Sequence, residues 1–282
     1  MKDALPRRVD AHFHAWQLAR GDYGWLTPAL GPIYRDVSVD DWQAHASVHG
    51  IAAGVLVQAA PTRAETQQLL AWADANPAVQ GVVGWEDFTA GDAPARIQAL
   101  AQHPRLKGLR PMLQDIAQTD WILQPQVQPA LQAMASCGLV LDALVQPRHL
   151  TLLPELAARH PGLRIVIDHG AKPQQGMTAA QWRAPMQALA LATTADRVMC
   201  KLSGLWTEAP AGAGVDWTRP WAQALLQVWG PQRLIWGSDW PVLELAGSYA
   251  AWHQDSLQLL AHLPPAHRAC VLGGNAAQMY RL

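Results

Sequence analysis

The sequence predicts an α/β fold, a (β/α)8 TIM barrel that takes up residues 1–282 as a single domain. Three observations point there. Eight short apolar runs of strand character recur along the 282 residues, stretches rich in Ala, Leu and Gln alternate with them, and half of the chain is hydrophobic, which suits one barrel-sized core. An open doubly wound sheet is the competing arrangement. No Gly-x-Gly-x-x-Gly follows the first run, which removes the main nucleotide-binding sign of that alternative.

In chain order the runs are RRVDAHFH from Arg7, AGVLVQA from Ala53, GVVGWEDF from Gly81, LKGLRP from Leu106, LVLDALV from Leu139, RIVIDHG from Arg164, VMCKLSG from Val198 and LIWGSDW from Leu234. Each is short, apolar and bounded by Gly, Pro or Asp, as buried parallel strands are. Between them the segments Ala64 to Asn76, Ala93 to His103, Pro125 to Cys137 and Arg148 to His160 carry the Leu and Ala spacing of amphipathic helices. Several stop at Asn-Pro, His-Pro or Cys-Gly, because proline disfavours helical geometry before it and glycine accepts the left-handed cap. The stretch from His14 to Asp40, rich in Gly, Pro and aromatics, is expected to be a long first loop lying over the mouth of the barrel.

Composition narrows the function. Lys and Arg number 21 against 22 Asp and Glu, so no net field would recruit nucleic acid or an anionic membrane; a small-molecule partner is expected. Cys137, Cys200 and Cys270 make an odd count without Cys-x-x-Cys, which points to neither a disulfide framework nor a thiolate zinc site. The start MKDALPRRVDAHFH lacks the apolar stretch of a signal peptide, and no apolar run is long enough to span a bilayer. A cytoplasmic location, as monomer or homodimer, is the expectation.

Polar residues collect where the runs end. His12 and His14 are two apart on the first strand, so alternation places both on one side, about 7 Å apart along the chain, where two imidazoles can share a cation. Asp239 ends the eighth run, and barrel closure makes strand eight the neighbour of strand one; a helix cap formed by Ser238-Asp239 is the structural alternative. His169 closes the sixth run, with Asp168 placed to orient its ring and Lys172 to bind an anionic oxygen. Four polar residues at matching strand ends argue for one site. Arg110, at the end of the fourth run, offers a two-point contact to a substrate carboxylate or carbonyl, or a salt bridge at the rim. Glu86 and Asp87 in the third run and Lys201 and Ser203 in the seventh either bind substrate or support those that do. Of the 14 tryptophans, Trp16, Trp25, Trp85, Trp206 and Trp240 fall at or beyond strand ends; Trp25 and Trp240 are the candidates for a wall against a ring-shaped substrate.

Together VDAHFHAW, DYGWL, VGWEDF, GLRPMLQD, DHGAKP, CKLSGL and GSDWPV resemble the amidohydrolase-related family 2 proteins. Within that family they resemble the lactonase group that includes L-fuconolactonases, L-rhamnonolactonases and 2-pyrone-4,6-dicarboxylate lactonase. The resemblance runs from about Val9 to Tyr249. It implies a (β/α)8 hydrolase that opens the ring of a sugar or dicarboxylate lactone, with Asp239 as general base and His12, His14 and His169 around the reacting carbonyl. No histidine ends the fifth strand and no lysine ends the fourth to form a bridging carbamate, so a two-metal centre is not expected. Pro111 stands where the sugar lactonases carry histidine, which argues against transferring their sugar specificity.

The expected chemistry is attack of an Asp239-held water on a lactone carbonyl polarised by a cation or by His and Arg donors. Catalytic roles fall to Asp239, His169 and Arg110, and substrate contacts to Glu86, Lys172, Lys201, Trp25 and Trp240. His12, His14, His169 and Asp239 can hold one divalent cation, zinc or manganese; lactonases that work without metal occur in the same group, so metal-free catalysis stands beside it. Two other readings remain: a metal-dependent decarboxylase of an aromatic acid on the same barrel, and a barrel that binds a ligand without turnover.

Overall fold

Each of the eight apolar runs supplies a strand in the computed structural model, which describes residues 7–210 and 213–282. The strands are β1 (Val9–Phe13), β2 (Ala53–Val57), β3 (Val79–Gly84), β4 (Leu106–Leu109), β5 (Val140–Ala143), β6 (Arg164–Ile167), β7 (Val198–Leu202) and β8 (Leu234–Trp236). They pair in parallel in sequence order, and a parallel bridge between Phe13 and Trp240 brings the last strand's end back to the first. One long helix follows each strand: α1 (Val39–Val48), α2 (Arg63–Ala75), α3 (Ala93–Leu100), α4 (Gln128–Cys137), α5 (Leu153–Arg159), α6 (Ala179–Ala192), α7 (Gly214–Trp229) and α8 (Tyr249–Leu260). The expected (β/α)8 barrel is the fold. Among the described residues no helix is long and apolar enough to cross a membrane.

Local chemistry explains the boundaries. Thr62 caps α2 by accepting from the Glu65 amide, and Ser38 and Asp41 form a reciprocal capping box at α1. The helix expected from Arg148 starts only at Leu153, after a short turn at Pro147–His149. Pro154 is the reason, since proline lacks an N–H and fits the first turn of a helix. The helix after β8 begins at Tyr249 with Ser248 as its cap, so the capping alternative for Asp239 falls away and its carboxylate is free for other work. The strands are shorter than the runs, and the chemistry-bearing residues lie just past their ends.

Two buried carboxylates hold the elements around the mouth. Asp10 of β1 is fully buried and accepts from the Ser238 amide at 2.8 Å, the Trp42 indole at 2.9 Å and the Tyr249 hydroxyl at 3.0 Å. It thereby ties β1 to the end of β8 and to α1 and α8. Glu65, also buried, accepts from the Ala59 and Ala60 amides at 2.9 and 2.7 Å and so fixes the turn after β2. The long first loop docks on that turn through the Trp25 indole, which donates to the Ala59 carbonyl at 2.8 Å.

Replacing Asp10 with Ala would strand several buried donors, and we expect a loss of about 3 kcal/mol in unfolding free energy, measured by urea denaturation. Burial pushes Glu65 up to about 7, against opposition from the Ala60 and Ala59 amides. A carboxyl raised in the folded state contributes stability that is fully present below its unfolded value and is lost as pH rises through the folded one. Wild-type stability should therefore fall between pH 5 and 8 by up to about 3 kcal/mol on account of this group. Glu65→Gln should flatten that slope, and an unchanged slope in the variant would assign the loss elsewhere.

Candidate active site

The site is built where β8 returns to β1. The Asp239 amide donates to the His12 carbonyl and the His14 amide to the Trp240 carbonyl, each at 2.8 Å. Asp239 itself has a left-handed backbone, φ 59°, as has His169, φ 52°. Such conformations are strained for residues with a Cβ and cluster at functional sites. Two glycines make room for the imidazoles. A Cβ at Gly237 would lie 2.8 Å from the His12 Cβ, and one at Gly204 would lie 2.3 Å from His169 Nδ1.

The result is a convergence on one oxygen. Asp239 Oδ1 lies 3.4 Å from His14 Nε2, 3.6 Å from His12 Nε2 and 3.8 Å from His169 Nε2, while the two Nε2 atoms of His12 and His14 are 3.2 Å apart. Ligands bonded at 2.0–2.1 Å in a tetrahedron stand about 3.3 Å from each other, so His12, His14 and Asp239 have the spacing of a single cation's shell, with His169 at its edge. His14 donates from Nδ1 to the Val57 carbonyl at 2.8 Å, and its Nε2 faces Asp239. The His169 Nδ1 pairs with the Ser203 hydroxyl at 2.9 Å.

Electrostatics keep the groups in distinct states. Burial works to raise Asp239, but His169, His14 and His12 outweigh it and hold its carboxyl below the usual carboxylate range. Burial pushes the His169 imidazole down to about 4, so it is neutral at physiological pH. His12 also lies well below its usual value, from burial first and the Lys201 ammonium second.

Above this floor opens a cavity of about 360 Å³. Arg110, Lys172 and Trp25 line it together with His14, His169 and Asp239. Arg110 donates to Asp168 at 3.4 Å and also to the Gln58 carbonyl, and Lys172 pairs with Glu208 at 3.0 Å. Trp25, Leu30, Val242 and Leu245 form an apolar wall; Gln114, Asp115, Thr207 and Glu208 stand among the polar lining residues.

Three expected substrate contacts are placed elsewhere. Glu86 is buried beneath Arg63, at 3.1 Å, and Arg96, at 3.6 Å, because two helices present guanidinium groups to it from outside the barrel. Lys201 is fully enclosed under the floor, held by Asp142 at 2.5 Å and Asp168 at 3.0 Å. Trp240 is fully buried, and its indole donates to Glu244 at 2.7 Å. None of the three lines the cavity. Sequence reasoning overlooked Asp142, whose position inside the apolar run LVLDALV was the available signal. Glu208 and Asp115 carried no such signal, being ordinary loop residues.

Comparison with known proteins places the whole barrel among relatives. The chain is 45% identical over 281 residues to an L-fucono-1,5-lactonase of Burkholderia ambifaria, covering 98% of this chain and 96% of that one. It is 33% identical over 299 residues to an L-fucono-1,5-lactonase of Burkholderia multivorans, with 98% and 96% covered. The crystal structure of an amidohydrolase from Burkholderia multivorans with bound zinc superposes with a TM-score of 0.91 at 33% identity, covering 98% of this chain and 99% of that one. The amidohydrolase family matches residues 9–282. With that match spanning the barrel from its first strand onward, the chain belongs to the amidohydrolase family.

Proposed function

We propose that the chain hydrolyses a lactone ring, with Asp239 as the base that takes a proton from the attacking water. The observation that carries this reading is the floor of the cavity, where one ionised carboxylate oxygen has three imidazole nitrogens within 3.8 Å. The two L-fucono-1,5-lactonases that align over almost the whole chain support it.

Asp239 is ionised across physiological pH and so can accept a proton without prior titration. A carboxylate held below its usual range is a weak base, so the carbonyl under attack must be polarised. Arg110 stands at the cavity wall for that purpose. The proton taken by Asp239 then passes to the ring oxygen as the C–O bond breaks, leaving a hydroxy acid. His12, His14 and Asp239, with His169 beside them, would hold a zinc or manganese ion. When bound, such an ion supplies Lewis-acid polarisation of a carbonyl and acidifies water.

The cavity favours a neutral, hydroxylated lactone over a dicarboxylate. Its two cationic side chains, Arg110 and Lys172, are already engaged by Asp168 and Glu208, so a second substrate carboxylate would meet Asp115, Glu208 and Asp239 without a free counter-charge among the described lining residues. Hydroxyl groups suit Gln114, Asp115, Thr207 and the Lys172–Glu208 pair, while one ring face can rest on Trp25.

Turnover should be followed by acid release from L-fucono-1,5-lactone, other aldonolactones and a pyrone dicarboxylate, with and without chelator. The neutral lactones are expected to react; silence across them, with carbon dioxide released from an aromatic acid, would overturn the reading. Asp239→Asn should lower kcat by at least about 10²-fold with an unchanged melting temperature. Trp25→Ala should raise KM by about tenfold with a smaller effect on kcat, the pattern of a lost binding surface.

A further inference from the structure

We propose that Lys201 is a positioning residue that fixes which nitrogen of His12 carries the ring proton. It thereby makes His12 a hydrogen-bond donor and opposes its recruitment as a cation ligand. The inference does not depend on which substrate is turned over.

The argument follows a directional chain of hydrogen bonds that starts at a carbonyl. Val57 O can only accept, so His14 donates from Nδ1, at 2.8 Å, and in a neutral ring its Nε2 is an acceptor. Two atoms face that acceptor, His12 Nε2 at 3.2 Å and Asp239 Oδ1 at 3.4 Å, and of these only His12 can donate to it. Arg110 Nη1 is the other donor near His12 Nε2, but it lies farther off, at 3.5 Å, and is shared with Asp168. His12 therefore carries its proton on Nε2 and donates toward His14, and its Nδ1 is left as an acceptor.

That acceptor faces Lys201 Nζ at 3.0 Å. An ammonium has three protons to give, and Lys201 has three partners: Asp142 Oδ2 at 2.5 Å, Asp168 Oδ1 at 3.0 Å and His12 Nδ1. Both carboxylates and the ammonium are fully buried, and Asp142 is further held by the Tyr280 hydroxyl at 2.9 Å. The geometry around Lys201 is thus fixed from three sides, and the imidazole must answer it.

Taking a cation on Nε2 would require the opposite placement. The proton would move to Nδ1, where it could be donated to Asp168 Oδ1 at 3.5 Å, the carboxylate–histidine arrangement usual for a metal ligand. It would then point at the Lys201 ammonium, donor against donor. His14 and Asp239 carry no such conflict. The cation shell accordingly consists of Asp239, which can only accept when ionised, of His14, and of His12, which Lys201 holds back.

Two measurements test this. In the metal-stripped wild-type protein, long-range proton–nitrogen NMR of labelled histidines, with the His12 signals identified from their loss in His12→Asn, should show His12 protonated on Nε2. Protonation on Nδ1, or on both nitrogens, overturns the proposal. In the paired variant Lys201→Met, Asp142→Asn, which removes one charge of each sign, the proton should move to Nδ1. Zinc affinity, measured by competition with a chromophoric chelator, should then tighten by about tenfold or more, the scale on which outer partners of ligating histidines act. An unchanged or weaker zinc affinity in a folded variant overturns the proposal, and if the variant does not fold, the wild-type spectrum alone decides.

Discussion

The site depends above all on closure of the barrel between its last and first strands. Asp239 and His12 are 227 residues apart in sequence, yet two backbone hydrogen bonds of 2.8 Å and the Phe13–Trp240 bridge bring them together. A parallel barrel allows this because its eighth strand must find a partner, and only the first is free. The buried Asp10 carboxylate then locks the seam from the outer side through Ser238, Trp42 and Tyr249. A shift of one residue in that closure would turn Asp239 away from the histidines. The constellation of His12, His14, His169 and Asp239 is therefore a property of the tertiary ring and of no single element.

Closure also gathers charge in a place with little water. Lys201 and Arg110 oppose Asp142, Asp168 and Asp239, two cations against three carboxylates, all buried. Such groups are costly to bury unless paired. The pairing here runs in one direction, from Asp142 through Lys201 to Asp168 and on to Arg110. Asp239 stands at the end of that series with three imidazoles beside it. The uncompensated negative charge thus lies on the carboxylate that faces the cavity. It can be met there by a proton or by a cation, which are the two things a hydrolytic floor has to accept.

Much of this was legible in the sequence, for a physical reason. Buried parallel strands must be apolar on both faces, so eight runs could be counted, and a His, Arg or Asp at the end of such a run has no structural excuse for its place. His12, His14, His169, Arg110 and Asp239 were found in that way. Glu86 and Trp240 met the same test and do not line the cavity, because position at a strand end does not reveal which way a side chain turns. Lys201 was visible as a charge in an apolar run, but Asp142, which holds it, comes from strand five, and Tyr280, which holds Asp142, from the helix Asn275–Tyr280 near the end of the sequence. Contacts across a barrel leave no trace in local spacing. Pro111, a departure from the sugar lactonases, does not line the cavity either, so its effect on the substrate wall is indirect.

Chemistry and selectivity occupy different parts of the framework. The floor is made by residues at strand ends, held by backbone pairing and by the buried charges beneath them. The walls are made by loops: Trp25 and Leu30 from the first, Gln114 and Asp115 from the fourth, Thr207 and Glu208 from the seventh, Val242 and Leu245 from the eighth. The first of these rests on the Glu65-anchored turn and the others on their own strands, so each wall can change without disturbing the floor. Conversely, a change under the floor, at Asp142, Asp168 or Lys201, alters the state of His12 without touching any wall. Within this scaffold, the lactone that is accepted and the way its carbonyl is attacked are therefore separable quantities, the first set from above the histidines and the second from below.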